Sequence, residues 1–214
     1  MKKLFVLVAL FSGAMLFTSC GDDFAQNVFD MVSGNANVTY SEGNDEDFSS
    51  SIVMYDREAS HPYALGVSMN MDIDQLLNTT SADQIQFPCM AYRLVGSEFS
   101  SGTDLTVNNV LTEAELNDFS YQSLMNGRFA ENHVVGIALN EHQFYVMSTG
   151  QIHIAKVNIS KIEGSFEGNA YLIDVTNGDN PTISTELYPI SGSFKSRVIP
   201  MLPWLANLQS EMDE

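Results

Sequence analysis

The chain is poor in basic residues. It has 9 Lys and Arg against 27 Asp and Glu, which gives a formal net charge of −18 at pH 7. Proteins bind nucleic acids and anionic membrane surfaces largely by neutralising phosphates with Lys and Arg. The sequence therefore predicts no nucleic-acid partner, and we interpret the excess of acid as a source of solubility.

Cysteine is scarce as well, because the chain has only Cys20 and Cys89. If Cys20 is modified, no intramolecular disulfide is left to stabilise the fold. Cys89 lies between Pro88 and Met90 without a His or Asn in any cysteine-enzyme signature, which is typical of a small buried hydrophobe. We therefore expect stability to come from a hydrophobic core, and the chain is long enough to form one.

No catalytic or cofactor-binding motif is intact. The sequence lacks G-x-S-x-G, H-E-x-x-H, the P-loop, G-x-G-x-x-G and C-x-x-C. Glu163 and Glu167 share a face of one predicted strand but lie about 13 to 14 Å apart, too far for a glycosidase pair. The histidines are scattered along the chain: His61, His133, His142 and His153. The sequence therefore predicts no catalytic residue, no metal site and no cofactor.

Long apolar runs are missing too. The run from Leu4 to Leu16 is about 13 residues, too short to span a bilayer as a stable helix. Lys2 and Lys3 precede it, and the small polar residues Thr18 and Ser19 lead from it to Cys20. A charged start, a short apolar run and a small-residue exit are typical of a cleaved export signal.

This leader resembles a bacterial lipoprotein signal with its lipobox, and Gly21-Asp22-Asp23 is similar to the acidic export signal of Bacteroidota surface lipoproteins. The resemblance implies cleavage before Cys20, attachment of lipid (diacylglycerol and palmitate-type acyl chains) to Cys20, and an outer-membrane protein that faces the cell surface. The predicted organisation is a signal peptide over residues 1–19, a lipidated cysteine and tether over 20–36, and a single β-rich domain over 37–214.

Inside that domain, the segment from Ser41 to Ser51 has almost no apolar residue and predicts an exposed acidic loop. A calcium site is the alternative, but the ligand order of an EF-hand is missing. Beyond it, hydrophobicity alternates with period two: Tyr63, Leu65, Val67, Met69 and Met71 are predicted to lie on the buried face of a half-buried strand.

The other predicted strands cover residues 52–55, 90–95, 105–111, 134–139, 144–147, 151–159, 162–173, 182–187 and 190–198. Many short strands joined by Gly, Asn, Asp and Ser turns predict a mainly β fold, a single antiparallel sandwich or barrel. Thr149-Gly150 is the tightest predicted hairpin turn, which would pair Met147 with Ile152 and Tyr145 with Ile154.

One short helix is predicted to pack on the sheet. Thr112 and Glu115 form a capping box, and Asn126-Gly127 supplies the stop after an apolar face that includes Leu116. The C-terminal segment from Pro200 to Leu205 contains Trp204, which either closes one end of the core or presents a sugar-stacking surface.

Two strands of the C-terminal half repeat one motif. Ile162-Glu163-Gly164-Ser165-Phe166 recurs as Ile190-Ser191-Gly192-Ser193-Phe194, with Ile, Gly and Phe predicted to point inward and Glu163, Ser165, Ser191, Ser193 and Lys195 outward. An inward Gly leaves room for a neighbouring side chain. The motif is similar to strands of uncharacterised Bacteroidota lipoproteins, some with calycin-like (lipocalin-like) barrels.

Together these features predict a lipid-anchored cell-envelope protein that acts as a non-enzymatic binding or accessory module. The partner predicted for such a module is an extracytoplasmic small molecule, glycan or protein. The alternatives are a structural or assembly subunit of a surface complex and a hydrolase with a site built from loops. Six large side chains are predicted to point inward: Tyr63, Leu65, Phe144, Tyr145, Phe166 and Phe194. In a barrel they would line a cavity for an apolar ligand, whereas in a sandwich they would form the hydrophobic core.

Overall fold

The computed structural model describes residues 34–41, 43–56, 63–70, 86–96, 100–117, 132–176 and 181–199. Within these residues, ten strands join in one sheet and one short helix is present, which confirms the mainly β prediction. The leader, the lipidation site Cys20, the tether up to residue 33, His61, the predicted helix end at Asn126-Gly127 and Trp204 lie outside the described residues.

The strands, in chain order, are β1 (Asn35–Tyr40), β2 (Asn44–Phe48), β3 (Ser50–Asp56), β4 (Tyr63–Met69), β5 (Cys89–Val95), β6 (Thr103–Asn108), β7 (Val134–Ala138), β8 (Gln143–Val157), β9 (Lys161–Asp174) and β10 (Thr182–Ile199). The helix α1 (Glu113–Asn117) follows β6.

The pairing of seven of these strands closes into a ring, as in a barrel. Neighbours are antiparallel along the path β3, β4, β5, β7, β8, β9 and β10. β10 then returns to β3 through a short parallel ladder that joins Arg197 to Ile52 and Val198 to Val53. β1 and β2 extend the sheet beside β10, and β6 extends it beside the second half of β8.

The predicted hairpin turn at Thr149-Gly150 is wrong. β8 runs through both residues, and Thr149 pairs with Asn169 of β9 and with Asn108 of β6. The register of the ladder with β9 shifts after Met147. Gly150 has a φ of 151°, a backbone angle that residues with a side chain rarely adopt. The chain therefore bends there instead of reversing, and the pairs predicted for Met147 and Tyr145 do not form.

The predicted acidic loop is also wrong, since its residues form β2. The strand pairs with β1 at the edge of the sheet and buries Phe48, while Asp45 and Asp47 are exposed. Charged side chains on an edge strand oppose pairing with another chain. β1 begins at Asn35, two residues before the predicted start of the domain at 37, and Ala36 is buried.

The faces of β4 are opposite to the prediction. Ala64, Gly66 and Ser68 point into the barrel beside Leu94, Tyr92 and Met90 of β5. Val67 and Met69 are buried on the outer side, so the strand is buried on both faces rather than half-buried. The small residues face inward because the ring of Tyr92 fills the space above Gly66.

The repeated motif in β9 and β10 behaves as predicted. The two strands are antiparallel, so Gly164 pairs with Phe194 and Gly192 with Phe166. A Cβ placed on either Gly would lie 2.7 Å from the Cζ atom of the opposing Phe ring. Each ring therefore fills the space left by the Gly of the other strand, and both rings are buried, at 4% and 3% exposure.

Three buried serine hydroxyls join strands at the closure of the ring. The Oγ atom of Ser51 in β3 lies 2.7 Å from that of Ser68 in β4 and 2.6 Å from that of Ser196 in β10. Buried hydroxyls need such partners, because leaving one unsatisfied costs about 1 to 3 kcal/mol. This cluster joins three strands at the point where the parallel ladder meets the antiparallel sheet.

The predicted capping box is confirmed. The Thr112 amide donates to Oε2 of Glu115 at 2.7 Å, and the Glu115 amide donates to Oγ1 of Thr112 at 3.3 Å. The Leu111 amide donates to the buried Tyr171 hydroxyl, which attaches this segment to β9.

We expect Thr112→Ala to lower the free energy of unfolding by about 1 kcal/mol, because the cap is lost. Thr112→Ser keeps the hydroxyl and should retain most of that stability. Urea denaturation of the two variants tests this, and equal losses would contradict a capping role.

Candidate functional site

As far as the described residues go, the interior of the barrel is filled by its own side chains. Tyr145, Phe166 and Phe194 belong to the packed core, together with Tyr92 and Met147. Side chains that line a ligand-sized cavity keep accessible surface, whereas these five are at most 7% exposed. The described part of the interior therefore does not form the predicted apolar ligand cavity.

The set of predicted cavity residues is also divided between faces. Leu65 and Phe144 belong to the outer side, because alternate residues of a strand face opposite ways. The prediction placed Phe144 and Tyr145 on one face although they are consecutive in β8. The side chain of Tyr63 lies outside the described part of the structure.

A shallow depression of about 500 Å³ lies on the outer face of the sheet. One wall is a row of cross-strand neighbours from four strands: Thr39 (β1), Ser191 (β10), Glu167 (β9) and Gln151 (β8). The other wall contains Ser41, Pro189 and Asn169. We call this depression the transverse groove, because it runs across the strands instead of along them.

The floor of the transverse groove is backbone. Ile190, Gly168 and Gly150 are cross-strand neighbours whose side-chain positions face inward, so their main chain lies between the two walls. A Cβ on Gly168 would overlap the carbonyl oxygen of Thr149 and lie 2.6 Å from the Met147 methyl group. Glycine is thus required at position 168, because no side chain fits there.

The walls are rich in hydrogen-bonding groups that are open to solvent. Gln151, Glu167, Asn169 and Ser191 are exposed. Within the described residues, their side chains make no hydrogen bond to protein, whereas Thr39 donates its hydroxyl to Asp45 of β2. The four unpaired side chains carry amides, a carboxylate and a hydroxyl, so the groove can both donate to and accept from a ligand.

A second row on the same face contains the residue types of a hydrolytic triad. Asp104 of β6 pairs with His153 of β8 through a 2.7 Å contact between Oδ1 and Nδ1. Ser165 of β9 is the cross-strand neighbour of His153, but no hydrogen bond joins the two side chains in the described structure. The histidine and aspartate side chains are 51% and 66% exposed, so water screens this pair.

The two other histidines in the described part of the chain, His133 and His142, do not come together. His142 is exposed in the turn before β8, and His133 accepts a hydrogen bond from the Val95 amide at 3.2 Å. Among the described residues, no group of three or more His, Cys, Asp or Glu side chains is placed to hold a metal ion.

Glu163 and Glu167 do share the outer face of β9, as predicted. They differ in surroundings: Glu163 pairs with Lys161, whereas Glu167 lines the transverse groove. The sequence pattern placed Glu167 on one strand face with Glu163 and gave no sign of the groove.

The shifted pKa values of the described residues have local causes. Burial raises the pKa of the Cys89 thiol to about 12, which fits the predicted buried and unreactive cysteine. Burial lowers the pKa of His133. Hydrogen bonds from Thr176 and Gln143 hold the pKa of Asp174 at about 2.

No helix in the described part of the chain is long and apolar enough to cross a membrane. Comparison of the chain with protein-family models, with curated proteins and with solved structures gives no match.

Proposed function

We propose that the chain is a lipid-anchored binding module of the bacterial outer membrane, which faces the cell surface and presents the transverse groove to external ligands. We infer the lipid anchor from the sequence of the leader and from Cys20. The binding role is supported by the polar groove, whose wall has unpaired hydrogen-bonding side chains. The described interior of the barrel is filled and offers no such site. Ligand recognition is therefore assigned to the outer face.

We expect Cys20 to carry the lipid. Metabolic labelling with an alkyne analogue of palmitate should mark the wild-type protein, and Cys20→Ser should abolish the label. Cys89→Ala is the matched control and should label normally, because Cys89 is buried. Labelling that survives Cys20→Ser would contradict the proposed anchor.

The binding role is tested on the chain from residue 20 onward with Cys20→Ser. Thermal denaturation is followed with glycans, fatty acids, haem and divalent ions, beside a panel of hydrolase substrates. A ligand at about a hundred times its dissociation constant should stabilise the fold by about 2.7 kcal/mol. Turnover of a hydrolase substrate that is lost in His153→Ala would contradict the binding role and indicate hydrolysis. Polymerisation of the chain without any response to a ligand would indicate a structural role.

A further inference from the structure

The chemistry of the transverse groove restricts its ligand, and the following inference rests on the binding role proposed above. The lining includes one carboxylate, two amides and three hydroxyl groups, from Glu167, Gln151, Asn169, Thr39, Ser41 and Ser191. Pro189 and Ile190 are its apolar residues, and the Ile190 side chain is buried beneath the floor. Sites for apolar ligands are lined mainly by hydrophobic and aromatic side chains, so this composition argues against a lipid or haem.

The charge of the groove disfavours anions. Glu167 is the ionisable residue of the lining, and none of the lining residues is Lys or Arg. Asp45, which accepts the hydroxyl of Thr39, adds a second acidic group beside one end. A sulfate or phosphate group in the groove would face carboxylates without a compensating cation.

The shape of the groove favours an extended ligand. Its wall crosses four adjacent strands, which lie about 4.8 Å apart, so the groove is roughly 14 Å long. The row of hydrogen-bonding side chains continues beyond both ends, with Asp45 of β2 next to Thr39 and Thr106 of β6 next to Gln151. A linear molecule that lies across the strands can therefore contact hydrogen-bonding groups at regular intervals.

We propose that the transverse groove binds a neutral polyhydroxylated chain, an uncharged glycan that lies across β1, β10, β9 and β8. Sugar hydroxyl groups both donate and accept, which matches the amides of Gln151 and Asn169 and the hydroxyl of Ser191. The Glu167 carboxylate accepts from two hydroxyls at once and forms the strongest of these hydrogen bonds.

Isothermal titration calorimetry of the Cys20→Ser chain with soluble neutral glucans (cello-, laminari- and malto-oligosaccharides) tests the inference. At least one of these glucans should bind to the wild type. Its affinity for the double variant Gln151→Ala/Glu167→Ala should be about tenfold or more lower, since two ligand hydrogen bonds are lost. Glu141→Ala removes an exposed carboxylate away from the groove and should bind like the wild type. Melting temperatures should stay unchanged, because all three positions are exposed.

The variant Glu167→Gln separates charge from hydrogen bonding. It should retain most of the affinity for the neutral glucan, because the amide still accepts and donates. It should also bind the sulfated form of that glucan more tightly than the wild type does, because the repelling carboxylate is gone. Failure of every neutral glucan, or wild-type preference for the sulfated form, would overturn the ligand class.

Glucan binding that the groove substitutions leave unchanged would overturn the location while leaving the binding role intact. A domain that responds to fatty acids or haem but to no glycan would likewise keep the binding role and refute this inference. These results therefore distinguish a wrong ligand class or location from a wrong binding role.

Discussion

Phe166→Ala should lower the free energy of unfolding by about 3 to 5 kcal/mol. The ring is 4% exposed and lies over Gly192, which has no side chain to move into the space that truncation would leave. Its neighbours in β10 are fixed by the ladder with β9 and by β1 on the other side. The cavity therefore stays open, and the loss should fall near the upper end of that range. Guanidinium denaturation measures it.

Lys195→Ala is the control, since Lys195 lies on the outer face of β10 and is exposed. Its effect should stay within about 0.5 kcal/mol. If the two variants lost equal stability, the assignment of inner and outer faces in β9 and β10 would be wrong.

Gly66→Ala should destabilise the barrel by about 1 to 3 kcal/mol, through overpacking instead of a cavity. A Cβ at this position would overlap the ring of Tyr92, which is fully buried and cannot turn away into solvent. Thermal denaturation monitored by circular dichroism should show a clearly lower melting temperature. Gly43→Ala offers a comparison, because a Cβ there meets nothing, although the φ of 91° adds local strain.

A double-mutant cycle shows whether the ring is the cause. Tyr92→Leu removes the atoms that the new methyl group would meet, so Gly66→Ala should cost less stability in that background than in the wild type. An unchanged cost would mean that the glycine is needed for its backbone and not for the space above it.

Local alternation predicted the C-terminal strands well and β4 poorly, for one physical reason. In β9 and β10 the large residues Phe166 and Phe194 face inward, so the pattern of size matches the pattern of burial. In β4 the inward residues are small because Tyr92 of the next strand occupies their space. That information lies in the register between strands and not in β4 itself.

The predictions of a hairpin turn at Thr149-Gly150 and of an acidic loop were wrong for related reasons. Gly150 favours a turn by composition, but pairing on both sides of β8 makes it part of a bend within a strand. The acidic segment of β2 looked unable to fold because it has little to bury. As an edge strand it needs only Phe48 in the core and a ladder with β1.

The transverse groove could not be predicted from sequence, because its wall residues are distant in the chain. Thr39, Gln151 and Ser191 become neighbours only through the pairing of β1, β10, β9 and β8. The available signal was the run of polar residues at alternate positions in the C-terminal strands, such as Ser165, Glu167 and Asn169, which marked an outer face without marking a site.

An NMR titration of the ¹⁵N-labelled Cys20→Ser chain with a neutral glucan shows whether the ligand binds on the outer face of the barrel or in its interior. The largest amide shift changes should fall on the floor and walls of the transverse groove, at Gly150, Glu167, Gly168 and Ser191, with little change at Met90 and Ile137 in the interior. Changes centred on Met90 and Ile137, or a spectrum that the glucan leaves unaltered, would contradict glucan recognition on the outer face.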